Sequence, residues 1–214
     1  MGWNYLRDPA SIYRASFATI AAEVDLERFS VLEARLVVRM IHACGMTDLA
    51  GDVQFWGHAA EKGAEALALG KPIFVDVEML RNGIIQSRLS KKNAVYCTTH
   101  DPRALPKAAE IENTRSAAGV DLWQADEVEG AVVAIGNAPT ALFRLMELIE
   151  AAQLPKPACL IGLPVGFVGA VESKQALFEW GPRFGVPGLV VQGRRGGSAM
   201  AAAAVNALAA QNES

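Results

Sequence analysis

Ala131-Val132-Val133-Ala134-Ile135-Gly136-Asn137-Ala138-Pro139-Thr140 is the stretch that decides the fold. Residues 131–135 are apolar without a break, the pattern of a strand covered on both faces. A glycine turn follows at once. Leu142, Leu145, Met146 and Ile149 then recur at helical spacing over residues 140–151. Strand, turn and helix in that order are the grammar of a parallel sheet wound on both sides.

The same unit repeats outward from this stretch. Upstream, residues 72–77 form a short apolar strand that ends in an acid, Asp76, and residues 94–98 form another. Downstream, residues 158–161 and 188–191 read as strands. Helices are expected over residues 59–69, with Gly70 as stop, over 106–118, and over the alanine-rich 198–210. Two helices precede the first strand. Asp8-Pro9 supplies a cap and a proline at the first helical position, followed by an apolar stripe of Tyr13, Phe17, Ile20 and Val24. Ser30-Val31-Leu32-Glu33 is a capping box, and Gly45 is a natural stop for the helix it opens. The expected architecture is α/β: a single doubly wound domain over residues 1–214. Its sheet is mainly parallel, of about five strands, with helices on both faces.

Bulk properties narrow the function. At 214 residues and 51% hydrophobic, the chain can bury one continuous core. A net charge of −3 and the lack of a basic run argue against a nucleic-acid partner. The N-terminus shows no apolar signal-peptide region, and the longest alanine tract, residues 199–204, is too short and too weakly apolar to span a bilayer. A cytoplasmic protein without a membrane partner is expected. The cysteines Cys44, Cys97 and Cys159 form no C-x-x-C pair, and no two Cys or His share a zinc-ligand spacing, so no metal is expected. Cys97 and Cys159 sit within strands as small hydrophobes.

Glycine-rich turns follow the last three strands: Gly136 to Thr140, Gly162 to Gly169, and Gly193 to Ser198. In a parallel sheet these turns share one edge, where ligands bind. Backbone N–H groups and helix starts there favour anionic groups. No G-x-G-x-x-G or P-loop pattern occurs, so a nucleotide is not indicated. Arg39, Arg115, Lys174, Arg194 and Arg195 are the cations that carboxylates could meet, and each reads equally as part of a solvated face. Ser198 in Gly-Gly-Ser would be the nucleophile of a hydrolase or transferase, but capping its helix is the simpler role.

The chain has three histidines, and His42 is the best placed for acid–base chemistry. It falls in the last turn of the second helix, where carbonyls favour the protonated imidazole. Arg39, one turn earlier, opposes this where it lies close. Cys44, two positions on, points to another face, so a thiolate–imidazole pair is disfavoured. Pattern alone leaves His42 also as a core-edge histidine without chemistry. Ser16, beside the first helix's stripe, reads either as bonding to its own turn or as a ligand contact.

Six segments in order resemble the precorrin-8X methylmutase family of corrin biosynthesis. They are Ile12-Tyr13-Arg14-Ala15-Ser16-Phe17, Arg39-Met40-Ile41-His42-Ala43-Cys44-Gly45 and Asn113-Thr114-Arg115-Ser116-Ala117-Ala118. Gly136-Asn137-Ala138-Pro139-Thr140-Ala141-Leu142 follows, then Pro164-Val165-Gly166-Phe167-Val168-Gly169-Ala170-Val171-Glu172-Ser173-Lys174 and Gly193-Arg194-Arg195-Gly196-Gly197-Ser198-Ala199. Residues 48–58 look least like the family. The resemblance implies an isomerase that moves a methyl group from C-11 to C-12 of a tetrapyrrole, without redox cofactor or methyl donor. It implies a homodimer with the site near the interface, and it places the family's histidine at His42. The ligand would be precorrin-8X or its cobalt form, and the product hydrogenobyrinate or cobyrinate. A non-catalytic corrinoid carrier is the alternative. Expected substrate contacts are Ser16, Arg39, Asp76, Arg115, Asn137 and Thr140. Val165, Gly166, Phe167, Lys174, Arg194, Gly197 and Ser198 join them, with Val165 and Phe167 against the ring face.

Overall fold

The computed structural model describes residues 3–210, so residues 1–2 and 211–214 of the expected unit lie outside the described residues. One six-stranded sheet organises the chain: β1 (Val53–Trp56), β2 (Ile73–Val75), β3 (Val95–Cys97), β4 (Val132–Ile135), β5 (Cys159–Gly162) and β6 (Gly188–Val191). The order is β1-β6-β5-β4-β2-β3, with β6 through β3 all parallel and β1 antiparallel to β6.

The helices are α1 (Pro9–Glu23), α2 (Val31–Cys44), α3 (Ala59–Ala68), α4 (Glu78–Gly83) and α5 (Ala104–Glu110). They continue as α6 (Arg115–Asp121), α7 (Ala125–Val128), α8 (Pro139–Glu150), α9 (Ala170–Phe184) and α10 (Ser198–Ala209). The unbroken apolar strands are explained by two separate cores. Val132, Ala134, Ile161 and Val191 face the layer of α2, α3, α4 and α10. Val133, Ile135, Leu160 and Val190 face the other layer, with Leu142, Leu145 and Leu177 from α8 and α9. Alternate strand residues thus bury on opposite faces, as a doubly wound sheet requires.

The caps form where the residue types call for them. The Asp8 carboxylate accepts from the Ser11 amide at 2.9 Å. The Ser30–Glu33 box closes in both directions, at 2.9 and 3.3 Å, and Ser30 as N-cap contributes about 1 kcal/mol. Gly45 ends α2 in the left-handed conformation at φ 71°.

The expected mainly parallel sheet of about five strands is present with six; the sixth, β1, is the antiparallel edge strand whose Trp56 indole N–H donates to the Val186 carbonyl at 2.7 Å. It lies in the segment least like the family and spans only four residues, too few for a periodic signal. The helix expected over 106–118 is broken in two. Glu112 adopts φ 50°, the Asn113 carboxamide accepts from the Thr114 amide at 2.8 Å, and Thr114 caps α6 by accepting from Ala117. Asn and Thr compete with the helix for backbone groups, and here they end one helix and start the next. Finally, Gly197 rather than Ser198 occupies the cap position of α10, and Ser198 is its first helical residue.

Candidate active site

The turns that follow the parallel strands lie on one edge, as their order requires. The end of α2 is drawn to that edge by a cation from the β6–α10 loop. The Arg195 guanidinium donates to Asp48 at 2.8 Å and pairs closely with Asp52. Both acids lie in the 3-10 turn Thr47–Asp52 that directly follows α2.

His42 stands exposed in the last turn of α2, among residues of α1. Its Nδ1 lies 2.7 Å from Ser16 Oγ. The Tyr13 ring centroid is 5.2 Å from the imidazole, and the Phe17 ring meets it edge-on at 5.4 Å. The Arg39 guanidinium lies over the Phe17 ring at 5.4 Å. With Nδ1–H donating to the Ser16 hydroxyl, that bond persists whether or not Nε2 carries a proton. Ser16 therefore fixes the ring in either state and leaves Nε2 as the nitrogen that can exchange a proton with a ligand. The role of Ser16 is thereby sharpened: its hydroxyl bonds to His42, not to its own turn. Cys44 is directed elsewhere. Its Sγ donates to the Ile41 carbonyl at 3.6 Å, and burial pushes its thiol up, away from the thiolate form.

A cleft of about 260 Å³ opens beside the imidazole, lined by Ser16, Thr19, Glu23, His42 and Thr47. A larger groove of about 800 Å³ runs between α1, α2 and α10. Tyr13 and Phe17, which flank His42, also line it, and Arg14, Arg35, Arg39 and Arg88 are among its walls. Sequence reasoning found only Arg39 of these four. Arg35 and Arg39 lie four residues apart on α2, a spacing that was legible, whereas Arg14 and Arg88 come from other elements and no pattern joined them to α2.

The remaining expected residues divide into two groups. At the surface of the edge, Asn137 is exposed after β4, and Thr140 Oγ1 lies 2.8 Å from Thr114 Oγ1. That bond ties the start of α6 to the first turn of α8 and presents exposed Arg115 at the same edge. Val165, Phe167 and Val168 are exposed in the β5–α9 loop, Phe167 by 85%. Arg194 lies over the Phe167 ring at 5.2 Å, and its carbonyl accepts from the Gly166 amide at 3.3 Å.

Asp76, Lys174 and Ser198 instead lie beneath the surface, and for them the expectation of direct ligand contact gives way to a structural position. Asp76 is 2% exposed, and its carboxylate accepts the amides of Gly136, Asn137 and Ala138 at 2.9, 2.9 and 2.7 Å. Burial pushes its carboxyl up while these amides pull it back. It shapes the β4–α8 turn from below. Lys174 is fully buried and donates to the Arg195 carbonyl at 2.6 Å. Burial brings its ammonium down to about 8, with Asp52 acting against the shift. Ser198 is 6% exposed at the start of α10. Among the described residues no three of His, Cys, Asp and Glu are grouped to hold a metal ion, and no helix is long and apolar enough to cross a membrane.

Comparison with known proteins fixes the family. The model of the precorrin-8X methylmutase family matches residues 11–211. The chain belongs to the precorrin-8X methylmutase family. It is 52% identical over 207 residues to the precorrin-8X methylmutase of a Sinorhizobium species, covering 97% of each chain. With that of Pseudomonas aeruginosa it shares 50% over 210 residues, covering 98% of this chain and 99% of the other. The cobalt-precorrin-8 methylmutase of Salmonella typhimurium is 36% identical, with 96% of each covered. Its fold matches the crystal structure of precorrin-8X methylmutase from Thermus thermophilus with a TM-score of 0.82 at 36% identity, over 93% of this chain and 96% of that one. Within this methylmutase family, the six motifs map onto α1, the end of α2, the start of α6 and the three glycine-rich strand ends.

Proposed function

We propose that this chain is a precorrin-8X methylmutase, an isomerase that moves a methyl group from C-11 to C-12 of precorrin-8X to give hydrogenobyrinate, with His42 as general acid. The observation that carries the catalytic assignment is the Ser16–His42 contact. It is a single imidazole, held at Nδ1 and open at Nε2, beside an apolar groove whose walls include four arginines.

The migration itself creates little net charge. A proton delivered by His42 Nε2 to the conjugated system makes it electron-poor and lowers the barrier to migration. The same proton returns to the imidazole as conjugation is restored, so the reaction is balanced without a co-reactant. A positioned acid of this kind accelerates a step by about a hundred- to ten-thousandfold. The substrate is a broad apolar ring with acetate and propionate arms. Arg14, Arg35, Arg39 and Arg88 suit its carboxylates from the groove, and Arg115 and Arg194 suit them from the strand edge. Val165 and Phe167 suit the ring face.

The metal-free substrate is favoured over the cobalt form. Relatives named for precorrin-8X stand at 50 and 52% identity, and the Salmonella protein named for the cobalt form at 36%. We read the protein as a homodimer with the site near the interface: Trp3, Tyr5, Leu6 and Val31 are all more than half exposed on or near α1 and α2, an apolar surface suited to a second copy. We also read residues 1–214 as one domain and the protein as cytoplasmic, acting without nucleic acid.

The test is incubation of the purified protein with precorrin-8X while the absorbance spectrum is recorded. Conversion to the hydrogenobyrinate spectrum is expected. Tight binding without conversion would mean a carrier and sink the catalytic assignment.

A further inference from the structure

We propose that Lys174 is a positioning residue for the reaction. Its buried ammonium pins the β6–α10 loop to the start of α9, just after the β5–α9 loop, so that Val165, Phe167 and Arg194 form one fixed surface for the tetrapyrrole. The choice of ligand rests on the function proposed above, whereas the clamp is a property of the fold itself.

Two loops from neighbouring strands meet here backbone to backbone. The Gly197 amide donates to the Leu163 carbonyl at 2.8 Å, and the Gly166 amide to the Arg194 carbonyl at 3.3 Å. Between these bonds, a Cβ on Gly196 would strike the carbonyl oxygens of Leu163 and Pro164, so only glycine allows the approach. Lys174, on the second turn of α9, donates to the Arg195 carbonyl in the β6–α10 loop at 2.6 Å. Arg195 therefore ties inward through its carbonyl and outward through its guanidinium to Asp48 and Asp52.

Burying an ammonium is unfavourable, and burial accordingly lowers its pKa. A hydrophobic side chain of similar volume would fill the space without that penalty. What the lysine adds is a directed bond to one carbonyl, on the loop that carries Arg194. At 0% exposure Lys174 touches no ligand at the surface. It acts through the loops, and its effect falls on binding rather than on proton transfer at His42.

The test compares wild type, Lys174→Met and Lys174→Arg in the full chain. Amide exchange at Gly197 reads the clamp, and spectral titration with hydrogenobyrinate reads affinity. In Lys174→Met, Gly197 should exchange faster and Kd should rise about ten- to hundredfold, while turnover at saturation changes little. Arginine should recover part of the affinity, because its N–H groups can reach the same carbonyl. A merely structural residue would instead lower stability without separating KM from kcat. A folded Lys174→Met protein with wild-type Kd overturns the proposal, whatever its exchange rate. Should that variant fail to fold, Gly196→Ala wedges the same loops apart from the other side, and the same rise in Kd is required. Wild-type protein that neither binds nor converts the tetrapyrrole overturns the functional assignment and the proposal together. Unchanged affinity in the variants beside normal wild-type binding overturns the positioning role alone.

Discussion

Ser16 Oγ and His42 Nδ1 lie 2.7 Å apart, joining α1 to the end of α2 by one side-chain bond. The hydroxyl serves the imidazole in both protonation states, so the ring need not turn when it gives up its proton. Ser16→Ala should leave substrate affinity unchanged and lower kcat about tenfold or more, the equivalent of a hydrogen bond to a charged group. Steady-state kinetics with precorrin-8X checks this. A loss confined to KM would instead make Ser16 a ligand contact.

His42→Ala removes the proton donor itself. Turnover should fall about a hundred- to ten-thousandfold. Hydrogenobyrinate should still bind, since Tyr13, Phe17 and the arginines of the groove remain. Turnover near wild type with normal binding would mean that the proton comes from elsewhere.

Arg115 is the first residue of α6, and the cap behind it, Thr114, reaches across to Thr140 on α8 at 2.8 Å. Arg115→Ala should weaken tetrapyrrole binding about tenfold with little change in kcat, as the loss of a charge-assisted carboxylate contact would. Thr114→Val keeps the cation but loosens its base, and should show a smaller effect in the same direction. Equal Kd values for all three proteins would place Arg115 outside the site.

Much of the frame was legible because its signals are local. The pentad 131–135, the Ser30–Glu33 box and the Gly45 stop each depend on residues within one turn or strand, and each forms as its chemistry requires. The position of His42 in the last turn of α2 followed from the same signals. What could not be read were relationships across the chain. Arg195 looked like a second ligand cation beside Arg194, but its partners Asp48 and Asp52 lie more than a hundred residues away in sequence. Asp76 looked like an acid at the ligand edge. Its carboxylate is instead consumed by three amides some sixty residues on. The family motifs cover the segment of Arg195 but not those of Asp48, Asp52 and Asp76, and they do not say which side chains face outward.

Asp76 offers a test of that distinction. Asp76→Asn replaces one acceptor oxygen with an N–H₂ group facing amide donors, leaving buried N–H groups unsatisfied at about 1–3 kcal/mol each. The variant should lose roughly that much stability in urea unfolding. If Asp76 met the ligand directly, the loss would appear in Kd with stability intact.

Lys174 gives the pH dependence a definite sign. Its folded-state pKa, about 8, lies below the ordinary lysine value of 10.5. Between those two values the unfolded chain holds a proton that the folded protein has released, so stability rises with pH in that window. Below about pH 8 both states are charged, and the folded state bears the full penalty of the buried ammonium. Above about 10.5 the penalty is gone. The shift corresponds to about 3 kcal/mol. Other groups titrate in this range too, so the quantity to measure is the difference in unfolding free energy between wild type and Lys174→Met at each pH. Wild type should gain about 3 kcal/mol on the variant between pH 7 and 10.5. A difference that stays flat would show that the ammonium is solvated, and that Lys174 does not sit buried against the β6–α10 loop.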